Sequence, residues 1–201
     1  MNNKKLKARD FVTTGIFSIL FIMIFFVCVM CMSFIPYTQP FGLALTALVA
    51  GPVYMIMRAK VAKPGGIMLF GAVYALVMFG TGGGWAIPVA AVAGAIAAEL
   101  ISCAGKYRNF KLNTIGYAVM MVAVAAGSYI PLLTMKEYYL ELAAGNGVEN
   151  DLMTQIVEFI SVPYLACALA ATAVCAVLGA VIAKGMFKKH FIKAGIIKEV
   201  N

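Results

Sequence analysis

Residues 11–35 read FVTTGIFSILFIMIFFVCVMCMSFI, an unbroken run with no charged side chain. A helix needs roughly 17–25 apolar residues to cross a bilayer, so this run is long enough. Its apolar stretch exceeds the roughly 7–15 residues of a signal-peptide core, and no small-x-small cleavage site follows it. It is therefore expected to remain as the first helix. Five further apolar runs follow, at 41–57, 67–81, 86–104, 113–134 and 160–183. The third is short and stops at a glycine cluster. Strands of a membrane barrel would be about 10 residues long with strict alternation, and these runs have neither property. The expected fold is an all-α membrane protein: one integral domain over 1–201, a six-transmembrane-helix bundle. The composition agrees. The chain is 63% apolar and 12% charged, whereas a soluble domain is nearer half apolar and a quarter charged.

The basic residues orient the bundle. Lys4, Lys5, Lys7 and Arg9 precede the first run, and Arg58, Lys60 and Lys63 lie between the second and third. Lys106, Arg108 and Lys111 lie between the fourth and fifth, and Lys184, Lys188, Lys189, Lys193 and Lys198 follow the sixth. Of the 16 Lys and Arg, only Lys136 falls on the other side. The positive-inside rule then places both termini in the cytoplasm, and an even number of spans agrees. The net charge of +8 is a topology signal facing anionic lipid headgroups, so no nucleic-acid partner is expected.

The stretch Phe79-Gly80-Thr81-Gly82-Gly83-Gly84-Trp85 resembles a phosphate cradle, but it lacks the Lys-Ser/Thr that closes one. The expected topology also puts it on the outer face, away from ATP. Glycine there lets the backbone turn and approach a neighbour or a ligand closely. Trp85 reads either as an interfacial anchor or as the aromatic wall of an outward pocket. The two prolines of Ser33–Pro40 stop helix propagation and suggest a tight extended link. Residues 135–159 read as two short helical pieces about a glycine turn at Asn146, with Tyr138, Tyr139 and Leu142 on a shared side. This segment is either a solvated connector or a cover over a pocket. The pocket expected from these pieces is lined by Phe79, Thr81, Gly83, Trp85, Tyr129, Tyr138 and Tyr139.

Glu99 is the one acid deep in an apolar run. Intramembrane acids usually face the bundle interior and pair with something; a lysine or backbone partner is favoured over a proton relay, which needs further ionisable groups in line. No enzyme is expected. There is no HExxH, no paired glutamates, no GxSxG and no Walker motif, and the one histidine, His190, is in the tail. Cys28, Cys31, Cys103, Cys167 and Cys175 lie in apolar runs and read as packing residues, with no metal site, cofactor or disulfide framework expected. Small residues spaced by four clear a stripe for close helix approach. Such stripes occur at Ala90, Gly94 and Ala98, at Gly179 and Ala183, and at Thr14 and Ser18 with Gly15 beside them.

Several stretches together resemble the substrate-binding S components of energy-coupling factor (ECF) transporters, in particular the Trep_Strep branch. They are KLKARDFVTTGIF at 5–17, KPGGIMLFGAVYALVM at 63–78, GGGW at 82–85, GAIAAELISCAGKYRN at 94–109, NTIGYAV at 113–119 and KKHFIKAGI at 188–196. The resemblance implies a six-helix subunit in a bacterial plasma membrane with an outward substrate pocket. It implies as partners a transmembrane coupling subunit and two ATPase subunits. In that mechanism the S component tips over in the membrane to deliver a micronutrient inward. Its first helix meets the coupling subunit through an Ala-x-x-x-Ala stripe, whose place is taken here by Thr14-x-x-x-Ser18. A stand-alone small-molecule transporter or channel is the competing reading, but neither internal repeats nor a line of midplane polar groups is apparent. A non-transport membrane assembly protein, needing no outer pocket, is a further alternative.

Overall fold

The computed structural model describes residues 5–147 and 150–186, with the side chains of 150–152 excepted. Lys4, Glu149, Lys188, Lys189, Lys193, Lys198, His190 and the 188–196 stretch lie outside the described residues. All regular structure among the described residues is helical. The helices are α1 (Ala8–Ser33), α2 (Gly42–Lys60), α3 (Gly66–Gly80), α4 (Ala86–Ala104), α5 (Phe110–Thr134), α6 (Lys136–Gly145), α7 (Asn150–Phe159) and α8 (Val162–Met186). Helices α1, α2, α4, α5 and α8 are long and apolar enough to cross a membrane, whereas α3 is a shorter apolar helix of 15 residues. The Pro36–Pro40 link is not extended. It turns, with the Thr38 amide donating to Ile35 O at 2.9 Å, and enters a single 3-10 turn at Gln39–Phe41. The Thr38 hydroxyl reinforces the turn by donating to Met32 O at 2.7 Å.

The six apolar helices close into a ring in the order α1, α3, α4, α5, α8, α2, and α2 also touches α5 across the middle. Close approach depends on the absence of side chains. A Cβ on Gly71 of α3 would stand 2.3 Å from Ala95 Cβ of α4. A Cβ on Gly179 of α8 would stand 2.6 Å from the carbonyl oxygens of both Ala47 and Leu48 on α2. Pro52 has no N–H to offer the Leu48 carbonyl four residues earlier, so α2 is irregular where α8 meets it. The Ala47 carbonyl also accepts the Tyr117 hydroxyl at 2.9 Å, tying α5 to the same point. Within the ring runs an aromatic column. Tyr54 stacks on Tyr117 at 4.6 Å and meets Phe70 edge-on at 5.5 Å. Phe70 meets Phe21 at 5.1 Å, and Tyr74 meets Phe25 at 5.6 Å.

The two ends of the ring differ in chemistry. One end gathers the basic residues: Lys63 pairs with Asp10, Lys60 lies over the Phe17 ring, and Lys184 lies over Phe110. Asp10 also accepts the Lys7 amide at 2.8 Å and so caps α1. Arg58, at this end, is only 1% exposed. Its Nη1 donates to Val61 O at 2.7 Å and its guanidinium lies 5.7 Å from the Tyr107 ring, while Nε and Nη2 have no partner among the described residues. Membership of a basic cluster did not predict that burial. The other end carries the 3-10 turn, the glycine loop, α6 and α7.

Candidate functional site

The end opposite the basic residues holds a cavity of about 250 Å³. Its lower wall is Phe25 and Val29 of α1 with Leu43 of α2; Ser128, Tyr129 and Leu132 of α5 form another side. Gly83 and Ile87 border it from the glycine loop and α4. Helix α6 lies over it with Tyr139, Leu142 and Ala143, and Asn146, Met153 of α7 and Gln39 complete the lining. These residues come from six helices, the 3-10 turn, the glycine loop and the turn after α6, and among the described residues none of the lining side chains is acidic or basic.

The glycine loop and α6 are joined directly. Gly82 and Gly84 adopt φ of +73° and +89°, a region that glycine enters without steric cost. A Cβ at Gly82 would stand 3.0 Å from Asn146 Oδ1, and one at Gly84 would stand 3.0 Å from the Tyr139 hydroxyl. The Asn146 side-chain amide donates to Gly82 O at 2.9 Å. Glycine here thus serves both turn geometry and close contact with α6. Second-end aromatics tie the remaining segments together: Tyr37 packs on Phe159 at 4.6 Å, Phe159 on Tyr164 at 4.9 Å, and the Tyr164 hydroxyl donates to Tyr37 O.

The polar atoms of the lining are unevenly satisfied. The Tyr129 hydroxyl reaches Gln39 O at 3.4 Å, and the Ser128 hydroxyl donates to Val124 O at 2.8 Å. Among the described residues Gln39 Oε1 is buried without a hydrogen-bond partner, and the Tyr139 hydroxyl is buried beside the Ala86 backbone. Burial pushes the Tyr139 phenol above its ordinary pKa, so it is a neutral hydroxyl at physiological pH. A depression of about 470 Å³ lies nearby, but it is lined only by the consecutive residues Leu133–Tyr138. Among the described residues its wall is that single stretch, the end of α5 and the start of α6, whereas ligand pockets are concave clefts that bury most of a ligand's surface.

Of the pocket residues expected from sequence, the cavity brings together Gly83, Tyr129 and Tyr139. The other four lie outside it. Phe79 is 69% exposed and Trp85 50% exposed, both on the outer surface of the ring. Thr81 is exposed and turns back to donate to Met78 O at 2.7 Å. Tyr138 is half-exposed beside Tyr139 rather than beneath it, because consecutive residues on α6 cannot share one face. Gln39, Ser128, Asn146, Phe25, Leu43, Ile87 and Met153 complete the wall without having been anticipated. Only the polar ones carried a sequence signal, as isolated hydrogen-bonding groups beside Pro40, Tyr129 and Gly147.

Thr14 and Ser18 face inward, each with 0% exposure. Ser18 donates to Thr14 O at 2.8 Å, and Thr14 Oγ1 has no partner among the described residues. They are interior packing residues of α1, and their small volume serves the bundle, not an outside face. Gly15 beside them is half-buried, with open space where a Cβ would stand. Glu99 belongs to the basic end. Its Oε1 accepts the Gly65 amide at 2.7 Å, and its Oε2 accepts the amides of Ile67 at 3.0 Å and Met68 at 3.3 Å. A carboxylate from α4 thus caps α3, whose first amides have no intrahelical acceptor, and its charge opposes the positive end of the α3 dipole.

The family model described as "Hypothetical bacterial integral membrane protein (Trep_Strep)" matches residues 8–193. The chain belongs to the Trep_Strep family. The match runs from the first turn of α1 past the end of α8, so every helix described above is covered. With its apolar helices, this makes the chain a multi-pass integral membrane protein. Searches of curated proteins and of solved structures returned no match.

Proposed function

We propose that this Trep_Strep protein is the substrate-binding S component of an ECF-type importer. The observation that carries the reading is the covered cavity at the end opposite the basic residues. Positive-inside orientation puts the basic end in the cytoplasm, so the cavity lies toward the outer face, under α6. That is the position in which a carrier captures a scarce solute. The α3 helix completes a six-span topology by running from the basic end at Glu99 to the glycine loop. The protein captures and delivers a small molecule and performs no chemistry on it. ATP is hydrolysed by two partner subunits, reached through a transmembrane coupling subunit. The face that meets this coupling subunit is not the Thr14–Ser18 stripe, which is buried.

The test is purification of the tagged protein from membranes of its own host, followed by mass spectrometry of the copurifying chains. A transmembrane subunit with two ATPases is expected; reproducible purification without any ATPase overturns the reading. Impermeant labelling of single cysteines supplies the orientation. A cysteine at Gly147 should react in intact cells and one at Lys106 should not.

A further inference from the structure

Two irregularities meet at the basic end. The first is in the turn between α4 and α5. Lys106 and Tyr107 adopt φ of +51° and +64°, the left-handed region in which a side chain crowds its own backbone. A left-handed residue just past a helix end is ordinary when it is glycine. This turn places its glycine one position earlier, at Gly105, where a Cβ would stand 2.6 Å from Asn109 Cβ. The strained positions therefore fall to a lysine and a tyrosine. Strain of this kind persists only where the surroundings hold it. The Lys106 amide donates to Cys103 O and the Tyr107 amide to Ser102 O, each at 2.9 Å, and the Tyr107 ring lies 5.7 Å from the Arg58 guanidinium. Arg58 is the second irregularity, a charged side chain only 1% exposed, and burying a charge is costly. On its other sides it meets Val61 and Gly66, both buried. Tyr107 is only half-buried. Of these contacts it is the one that reaches solvent, and the strained turn carries it.

We propose that the Gly105–Asn109 turn is a strained cover that opens locally, lifting Tyr107 away from Arg58 and bringing the guanidinium to the surface of the basic end. Closed, the ring presents its face to the cation and keeps water from it. Open, Lys106 and Tyr107 return to ordinary backbone angles and the guanidinium regains its hydration. Strain and desolvation favour opening; the ring contact and the amide bonds of the turn oppose it. These effects are each small and similar in size, so the open state is a minor but accessible one. In the positive-inside orientation the emerging charge faces the cytoplasm. The device goes beyond the transport reading and needs neither a substrate nor a partner.

Phenylglyoxal, which modifies arginine guanidinium groups, tests this on the full chain in detergent. The sequence has three arginines, Arg9, Arg58 and Arg108, and mass spectrometry follows each separately. Arg9 and Arg108 are exposed and serve as internal standards. In the parent, Arg58 should react more slowly than either, but to completion. Lys106, whose side chain is exposed, supplies the deciding pair. Lys106→Gly relieves strain in the closed turn and should slow Arg58 about 2- to 5-fold, the strain removed less the extra freedom of glycine in the open turn. Lys106→Ala loses the same charge but keeps a Cβ, and should react at the parent rate. Tyr107→Ala removes the cover and should speed Arg58 about 10-fold or more, whereas Tyr107→Phe keeps the ring and should stay within about 2-fold of the parent. Gly179→Ala, which loosens the bundle at the contact of α8 with α2, should leave the Arg58 rate unchanged, because local opening does not pass through global unfolding. An Arg58 that stays inert after Arg9 and Arg108 are fully modified overturns the proposal. So does a Lys106→Gly protein no slower than Lys106→Ala, or a Gly179→Ala protein whose Arg58 speeds up in step with its loss of stability. Should Tyr107→Ala fail to fold, the Lys106 pair and Gly179→Ala decide alone.

Discussion

Removing the Glu99 carboxylate should loosen the bundle at its basic end. Among the described residues, Glu99 is the only side chain that accepts the first amides of α3, through three bonds of 2.7, 3.0 and 3.3 Å. Hydrogen bonds to a charged group contribute about 1.5–3 kcal/mol each, but this site is half-buried and water can replace part of what is lost. The longest bond also adds little. One strong bond, one weaker bond and a helix-dipole contribution of about 0.3–1 kcal/mol give about 3 kcal/mol for Glu99→Ala. Glu99→Gln keeps a single acceptor oxygen and should lose about half as much. For a chain of this size 1 kcal/mol corresponds to about 2–4 °C in Tm. The expected losses are therefore about 6–12 °C for the alanine variant and about 3–6 °C for the glutamine variant. Circular dichroism of detergent-purified protein reads both. A Glu99→Ala protein that melts within about 1 °C of the parent would refute the capping account and reopen a functional role for the acid.

The helix contacts make a paired forecast. Gly179→Ala forces a methyl against two α2 carbonyls and should cost about 1–3 kcal/mol in the same melting assay, whereas Gly15→Ala, entering open space, should be neutral. Thr14→Leu and Ser18→Leu should lower stability by a similar about 1–3 kcal/mol, because both sites are fully buried; a stably folded variant that loses only partner binding would contradict the inward placement. Asn146→Ala removes the bond to Gly82 O and should cost about 1 kcal/mol or less, seen as faster amide hydrogen exchange across Lys136–Gly145 with the membrane helices unaffected.

The helices were legible because hydropathy and charge report on the solvent around each segment. The fourth run, 86–104, coincides with α4, and the two short pieces around Asn146 are α6 and α7. A structural partner for Glu99, a lysine or a backbone group, was likewise legible, because a lone acid without other ionisable groups in line is ill suited to a relay; the partner is the α3 backbone. What composition does not carry is rotational phase. Thr14 and Ser18 have the spacing of a docking stripe, but the same spacing serves internal packing, and nothing local says which neighbour the stripe meets. Trp85 and Tyr139 are both aromatics in outer segments, yet one points outward and the other into the cavity. Gln39 and Asn146 were missed because their roles depend on partners 90 and 64 residues away, Tyr129 and Gly82.

The brevity of α3 bears on how the protein deforms its surroundings. At 15 residues it is about 22 Å long, against a hydrocarbon core of about 30 Å. Its outer surface is apolar, with Met68, Leu76, Val77 and Phe79 exposed, so lipid must meet a wall that is too short there. Across the ring, α8 has 25 residues and spans the full thickness. With α3 as the sixth span proposed above, the membrane would thin on that flank, at a cost of a fraction of a kcal/mol per ångström of mismatch. Leaning so as to bring more apolar length into the thin flank relieves that cost, and leaning the other way adds to it. In that six-span arrangement the bundle would carry a preferred direction of tilt in its own helix lengths.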